Sequence, residues 1–542
     1  MHKWVEGLTV ALDCVDAGKP AEAERLCRQM LEEDADNQAV LLLLGLAIGA
    51  QDKFARARPI LVRVAHAETQ GNDHRYDAAA AHVRWRCRAL FAPLYRECLR
   101  HAPEDSQLRY CVAGFLHEVH ELDEAKDVLV EGLRRHPHWP AAHQLLGMVH
   151  ADKGQFGGAI AQFRLVTGLV PQDPAGWANL GMMLKVEGRF DAALKACDRA
   201  VALAPQNARY RVNRTVALLH AGRMLDAWRD FEWRRALLEH NDDSVCWLKP
   251  QLDNLHQVPG STILVTHSDG FGDTLQFMRY VPLLAEQGAR VLAWVPKPLV
   301  RVMQAVRGVA GVYTGDQSIP AFDYHSPFVS LPRVFASTVE TIPREPYFGV
   351  DENLARRWGA RLPGSGLRVG LVWAGQPRPQ IPGFDVLDGR RSTSLATLAP
   401  LAETRGAHFV SLQMGPAADQ ARDAPEGMVL IDPMRDVADF ADTAAIVGNL
   451  DVVVSVDTSV VHLAGAMGKP VLMLDRYDNC WRWLSGRTDS PWYPGLRIFR
   501  QKRPGEWGPV VARIARALQT MSELRAADRP VPFMATAAHR TD

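Results

Sequence analysis

"VVVSVDTSVVHLAGAMGKPVLML", residues 452–474, decides the fold class. A short valine-rich run comes first, and β-branched residues of this kind favour a buried strand. Asp457, Thr458 and Ser459 follow, then a helical stretch of small residues, then Gly468 and a second apolar run. Strand, helix and strand this close together are the unit from which parallel sheets are built. The same alternation extends on both sides. Apolar runs recur at "STILVT" (261–266), "ARVLAWV" (289–295), "RVGLVWAG" (368–375), "AHFVSLQ" (407–413) and "RIFRQ" (497–501). Helical stretches lie between them, among them "DTLQFMRYVPLLAEQG", "SLATLAPLAETRG" and "DFADTAAIVGNL". The loop-rich "DENLARRWGARLPGSG" (351–366) divides the series. Two Rossmann-like lobes with a cleft between them are expected, over residues 250–360 and 366–520. The tail over 525–542, with "RPVPFMATAAHRTD", is expected to be disordered.

Upstream the pattern changes from alternation to repetition. Pro103, Pro137, Pro171 and Pro205 are spaced by 34, and Ala125, Ala159, Ala193 and Ala227 keep the same step. Leu146 and Gly147 reappear as Leu180 and Gly181, and Phe156 as Phe190. Ala23, Ala57, Leu44, Gly45 and Phe54 fall in the same register, while Phe91 stands where an alanine is due. Small residues at fixed spacing let two antiparallel helices approach, and the proline stops the second helix. One such hairpin cannot bury its own face, so copies stack into a solenoid. The period thus predicts an α-solenoid over residues 1–235, of roughly six or seven copies. Its groove suits a protein or peptide partner; a spacer or a homo-oligomer contact would use the same array.

Composition narrows the classes. The chain has 542 residues, 47% of them hydrophobic, and 62 Lys plus Arg balance 62 Asp plus Glu. A formal charge of zero excludes general electrostatic capture of nucleic acid or of an anionic membrane as its main business. None of the eight cysteines forms a CxxC pair, so neither a disulfide framework nor a zinc site is expected. There is no signal-like start and no apolar run of membrane-spanning length, which predicts a cytoplasmic protein.

Ligands of open α/β sheets bind beyond the carboxyl ends of strands, where helix N-termini point. Two corners qualify. "HSDGFGDTLQFMRY" (267–280) places Gly270, Gly272, Asp273 and Thr274 after the first apolar run. Leu275 replaces the third glycine of a dinucleotide fingerprint, and no GK[ST] follows for a Walker loop. What remains is a tight glycine turn with Asp273 at the start of a helix, either as its N-cap or as a carboxylate held at the cleft edge as general base. At the second corner, free amides and the Thr458 and Ser459 hydroxyls suit a pyrophosphate. His462, one turn in, is either an interior histidine or a ligand-binding one. Gly465 and Ala466 would let the helix lie close to the sheet. Trp481, Trp483, Trp492 and Tyr493 either pack a long loop or stack on a base or sugar. The only DxD, Asp34–Ala35–Asp36, lies in the solenoid, so no metal ligands for a diphosphate are visible.

Together, "GFGDTLQFMRYVPLLAEQGARV", "GLVWAGQP…GRRS", "DFADTAAIVGNLDVVVSVDTSVVHLAGAMGKPV" and "WRWL…DSPWYPGLRIFRQ" resemble the heptosyltransferase-like glycosyltransferases of family 9, in a bacterial form fused to tetratricopeptide repeats. The architecture is also similar to that of the protein O-GlcNAc transferases. The resemblance implies a GT-B fold with an N-terminal acceptor lobe and a C-terminal lobe for a nucleotide-diphosphate sugar. It implies that Asp457, Thr458, Ser459 and His462 bind this donor, with Arg391 and Ser392 near its phosphates and Gly375 and Gln413 in the same group. It makes Asp273 the catalytic base, set by Gly270, Gly272 and Thr274, in an inverting reaction that needs no metal or other cofactor. The loop "PRPQIPGFDVLDG" (377–389) would act as a lid. Protein glycosylation follows if the repeats grip a protein acceptor. A glycan or lipid-linked acceptor, or a non-catalytic scaffold that binds nucleotide sugars, stays open. So does the sugar: hexosyl, heptosyl or N-acetylhexosaminyl.

Overall fold

A computed structural model describes residues 2–69, 83, 86–237, 249–268, 270–315, 317–378, 384–527 and 529. The chain forms two compact units, 1–183 and 184–542. The expected disordered tail lies, apart from residues 525–527 and 529, outside the described residues.

The first unit is helical and follows the 34-residue step. First helices begin at Gln38, Ser106, Pro140 and Pro174, and second helices at Pro20, Phe54, Arg88, Leu122 and Phe156. The copy marred by Phe91 therefore keeps its second helix, Arg88–His101. Ala23, Ala57, Ala125 and Ala159 are completely buried, because each sits where two helices of a hairpin meet. Gly147 shows how tight the contact is: a Cβ there would come within 2.6 Å of the Phe163 ring. The proline does more than end a helix. The carbonyls of Pro103 and Pro171 accept from Arg109 (2.8 Å) and Trp177 (3.0 Å), and His143 Nε2 lies 2.9 Å from the Pro137 carbonyl. A different side chain six residues on ties down the same carbonyl each time.

The second unit begins with the end of the periodic segment. The helices Phe190–Leu203, Ala208–His220 and Met224–Trp228 keep the step, and Arg211 donates to the Pro205 carbonyl at 2.6 Å. They share one core with the α/β part: Leu218, Leu219, Trp228 and Phe231 are buried in the same cluster as Leu252, Val258 and Ile263.

Two all-parallel sheets follow. The first joins β1 (Thr262–Thr266), β2 (Arg290–Trp294), β3 (Val309–Tyr313) and β4 (Tyr324–Pro327) in the order β3-β2-β1-β4. The second joins β5 (Leu367–Val372), β6 (Ala407–Ser411), β7 (Leu430–Ile431), β8 (Val452–Val456), β9 (Val471–Asp475) and β10 (Leu496–Arg500) in the order β10-β9-β8-β5-β6-β7. This is the doubly wound Rossmann order. The strand order reverses beside β1 in the first sheet and between β5 and β8 in the second. Those reversals are where such sheets open a crevice for ligands. The sequence reading anticipated neither β3, β4 nor β7. The expected long helix of 273–288 is in fact Phe271–Phe277 and Val281–Glu286, joined by a 3₁₀ turn at Met278–Tyr280.

Candidate functional site

The loop after β1 leads into the helix Phe271–Phe277. Gly270 is its N-cap and Asp273 its third residue, so Asp273 is not the N-cap. It caps from inside instead: the Gly270 amide donates to Asp273 Oδ2 at 3.0 Å. Neither Gly270 nor Gly272 has positive φ, so the turn does not need glycine for its backbone. Gly272 is needed for room. A Cβ there would lie 2.9 Å from His462 Cδ2 and 3.5 Å from Ser459 Cα. The two corners singled out in the sequence are thus in contact, the first sheet's helix abutting the N-terminus of the helix Ser459–Ala466.

Asp273 Oδ1 faces Arg482, which sits between Trp481 and Trp483 in the second lobe, and the two form an ion pair. Arg482 also donates to Gln276 Oε1 at 2.7 Å. Burial lowers the Arg482 pKa, but Asp273, together with Cys480 and Asp457, more than offsets it and holds the guanidinium cationic. The sequence reading missed this arginine; its setting between two tryptophans was the available signal. Thr274 faces inward and meets His267 Nδ1 at 2.8 Å, bracing the loop.

At the second corner Thr458 is the N-cap of its helix, with its hydroxyl 3.1 Å from that of Ser455. Its side chain does not cap the helix, so the first amides stay open to a ligand. His462 turns inward. It is buried, stacks on Trp483 at 5.4 Å and meets Tyr493 OH at 3.0 Å. Burial, reinforced by Arg482 and Arg279, pushes its pKa far below the usual range, so the ring is neutral. It has the surroundings of an interior histidine and seats Gly272. Gly465 makes room for the Tyr493 ring, which a Cβ would meet at 2.5 Å, so it serves the following loop rather than the sheet. Trp483, Trp492 and Tyr493 are fully buried in that loop, and Trp481 lines a cavity.

A third group lies beyond β5. The Gly375 amide donates to Ser392 Oγ at 3.1 Å, and the Arg391 guanidinium lies directly over Gly375. Gln413 is buried and fully used. Its Oε1 accepts from the Trp373 and Ala374 amides, and its Nε2 donates to the Ala374 and Met414 carbonyls. It shapes the loop at the end of β5 and has no free valence for a ligand. Arg391 pairs with Asp388 at 2.7 Å. Burial lowers its pKa, Asp388 works against that, and Asp457 is near enough to contribute. Its Nε and the indole nitrogen of Trp373 are buried donors with no hydrogen-bond partner among the described residues. Buried donors without acceptors cost about 1–3 kcal/mol each, and an anionic ligand would relieve that cost. Residues 379–383 of the expected lid lie outside the described residues. Among the described residues, no cluster of three or more His, Cys, Asp or Glu side chains is placed to hold a metal ion. No described helix is long and apolar enough to cross a membrane.

Between the last periodic hairpin and the first corner lies a cavity of about 190 Å³. Val212, Thr215, Val216 and Leu219 of the helix Ala208–His220 form one wall, and Asp273 with Arg482 another.

Comparison with known proteins completes the description. Residues 15–83, 118–174 and 174–207 match models of the tetratricopeptide repeat. Protein FlbA of Caulobacter vibrioides is 25% identical over 547 residues, which span 94% of this chain and 89% of FlbA. A glycosyl transferase of family 9 from Veillonella parvula DSM 2008 is similar in structure over 49% of this chain and 98% of its own, at 10% identity and a TM-score of 0.35. The ADP-heptose lps heptosyltransferase II of E. coli is similar over 48% of this chain and 99% of its own, at 12% identity and a TM-score of 0.36. The N-terminal part of the chain consists of tetratricopeptide repeats, and the C-terminal half is similar in structure to heptosyltransferases of glycosyltransferase family 9.

Proposed function

We propose that the chain is a glycosyltransferase that moves a sugar from a nucleotide-diphosphate sugar to an acceptor hydroxyl, with Asp273 as general base. The contact of Gly272 with His462 and Ser459 carries the reading, because it brings Asp273 to the helix N-terminus that follows β8. Both are switch-point corners, and a ligand at one is beside the other. The donor diphosphate lies against the Thr458 and Ser459 amides, with Arg391 offsetting its charge. Asp273 Oδ1 takes the acceptor proton. The acceptor oxygen bonds to the anomeric carbon as the carbon–oxygen bond to the diphosphate breaks, its electron pair leaving with the nucleotide. A single displacement of this kind inverts the anomeric centre. An ionised carboxylate oxygen offers about two acceptor sites, so Oδ1 can hold Arg482 and still accept a hydroxyl.

Asp273→Asn should reduce turnover by roughly 10²–10⁴-fold. It should leave nucleotide-sugar affinity, read by calorimetry, unchanged. Wild-type turnover in the variant removes Asp273 from the base role. The acceptor on this reading is a protein gripped by the repeats. Deleting residues 1–183 tests recruitment without stripping the α/β core, and equal modification of host proteins by the truncated chain refutes it.

One observation favours a second reading, a scaffold that binds nucleotide sugars without turning them over. Both Asp273 oxygens already have protein partners, the Gly270 amide and Arg482. Binding of a nucleotide sugar with no transfer to any acceptor would select it.

A further inference from the structure

Each nitrogen of the Arg482 guanidinium has a partner, and two of the three partners belong to the other lobe. Nη2 pairs with Asp273 Oδ1, Nε donates to Gln276 Oε1 at 2.7 Å, and Nη1 donates to Cys480 Sγ at 3.2 Å. Asp273 and Gln276 lie on the helix Phe271–Phe277, whereas Arg482 sits in the 3₁₀ turn Trp481–Trp483 that follows β9. That turn is itself held. The Trp492 indole donates to the Arg482 carbonyl at 2.9 Å, and the guanidinium lies over the Trp481 ring, 4.6 Å from its centroid. The Arg482 side chain is 15% exposed and that of Asp273 22%. The reaction above gives this arginine no role.

We propose that Arg482 is a positioning residue for the transfer: from the second lobe it fixes the orientation of the Asp273 carboxylate, so that the base is set only while the two lobes are together. The inference rests on the transferase reading and adds a residue to it. Geometry carries it. Nε and Nη2 form one edge of the planar guanidinium, and that edge spans Asp273 and Gln276, three residues apart on one helix face. A fork of this kind fixes direction as well as charge, which a lysine cannot do. Asp273 Oδ2 is meanwhile held by the Gly270 amide at 3.0 Å. With one oxygen on Gly270 and the other on Arg482 the carboxylate cannot rotate, and Oδ1 keeps one acceptor site for the hydroxyl. Stability does not account for the pair. The lobes are already joined beside it by Gly272 against His462 and by Arg279, which donates to the Trp492 carbonyl at 2.8 Å. A guanidinium taken out of water for a single carboxylate adds little net stability over an apolar side chain of similar volume. Arg482 itself makes and breaks no bond; the acceptor proton still passes to Asp273.

The test uses the full chain, a panel of nucleotide sugars and protein from host cells that lack the chain, and reads nucleoside diphosphate released. Arg482→Ala should lower kcat by about 10²-fold, the scale of a misplaced catalytic group, while nucleotide-sugar affinity read by calorimetry holds. Millimolar guanidinium chloride should restore much of the kcat of this variant. Ammonium chloride at the same concentration should not, because only the planar cation can bridge Asp273 and Gln276. A folding defect would be repaired by neither salt. Gln276→Leu removes one prong of the contact at similar volume and leaves Arg482 and Asp273 in place; its kcat should fall several-fold with donor affinity unchanged. Wild-type kcat in Arg482→Ala, a loss that guanidinium does not repair, or equal repair by ammonium overturns the positioning role and leaves a transferase. Should Arg482→Ala fail to fold, wild-type kcat in Gln276→Leu overturns it instead. A wild-type chain that transfers from no nucleotide sugar overturns the transferase reading, and the role of Arg482 falls with it.

Discussion

Replacing Gly272 by alanine tests the contact on which the site depends. A Cβ at 272 would stand 2.9 Å from His462 Cδ2, and the imidazole has nowhere to go. It is stacked on Trp483 at 5.4 Å, held by Tyr493 at 3.0 Å and fully enclosed. Carbon atoms settle about 3.5–4.0 Å apart, so one helix must move by roughly 0.6–1 Å. Overpacking of this size costs about 1–3 kcal/mol. The same shift carries Asp273, the next residue, away from the donor helix. Misplacement by about 1 Å can cost on the order of 10²-fold in rate.

Urea denaturation and steady-state turnover should therefore both fall in Gly272→Ala, with kcat reduced more than donor affinity. Gly270→Ala is the control. Its φ of −88° suits any residue, and the nearest atom to a new Cβ is the Asp273 Oδ2 at 3.3 Å, the end of a side chain that can yield. It should cost roughly 0.5–1 kcal/mol, the difference between glycine and alanine at an N-cap, and leave turnover intact. If Gly272→Ala is as stable and active as wild type, the two corners do not interlock as described.

Three further outcomes follow from buried groups. Arg391→Ala should weaken nucleotide-sugar binding by about 10- to 100-fold, from the 1.5–3 kcal/mol of a hydrogen bond to a charged group, and calorimetry reads it directly; unchanged affinity would remove Arg391 from the donor site. Gly375→Ala should give a smaller loss in the same assay with little change in stability, because the Cβ meets the far end of the Arg391 guanidinium at 2.6 Å; full donor affinity would show that this guanidinium need not lie over Gly375. Lys185→Met should stabilise the chain at pH 7. Burial pulls the Lys185 pKa from the usual 10.5 to about 8, a cost of roughly 3 kcal/mol for keeping the charge. The folded state binds fewer protons than the unfolded state between these values. Wild-type stability should accordingly rise from pH 8 to 10.5, and the advantage of the methionine should shrink over that window. Equal urea midpoints for the two proteins at pH 7 would refute it.

Most of the α/β half was legible because its central strands are buried on both faces and read as continuous apolar runs. The strands that were missed lack that signature. In β3 (Val309–Tyr313) every residue is partly or fully exposed and a glycine interrupts it; β4 is four residues ending in proline; β7 is two residues at a sheet edge. The helix after β1 was drawn too long because its apolar pattern continues through the 3₁₀ turn and past Pro282, which the helix Val281–Glu286 accepts near its start. Motif order located both corners, but the roles of single residues needed packing. Gly272 looked like a turn residue and proved to be a spacer against His462. Arg279 drew no notice in "QFMRY", yet it is buried against Tyr347, Trp492 and Tyr493 and donates to the Pro343 and Trp492 carbonyls. Its hydrogen-bond partners lie up to 213 residues away, and no local pattern announces them.

The end of the repeat array shows why a sequence period and a folding unit need not share a boundary. The period runs to the helix Met224–Trp228, whereas packing divides the chain at 183/184. A solenoid exposes the apolar face of its last copy unless something covers it, and a polar capping helix is the common solution. Here the final second helix has five residues and runs into the 3₁₀ segment Phe231–Leu237. Trp228 is buried and donates to the Ser337 carbonyl at 2.8 Å, while Leu219, Met224 and Phe231 join the core that contains Ile263 and Tyr280. The α/β part thus serves as the cap. Cutting the chain at 235, as the period alone would suggest, would uncover Leu252, Tyr280 and Val334 together with these residues. Burying a large apolar side chain is worth about 1.5–3 kcal/mol, so the loss of several exceeds the net stability of an ordinary domain. The last hairpin must therefore fold with the lobes, which leaves its Thr215 and Val216 fixed beside Asp273.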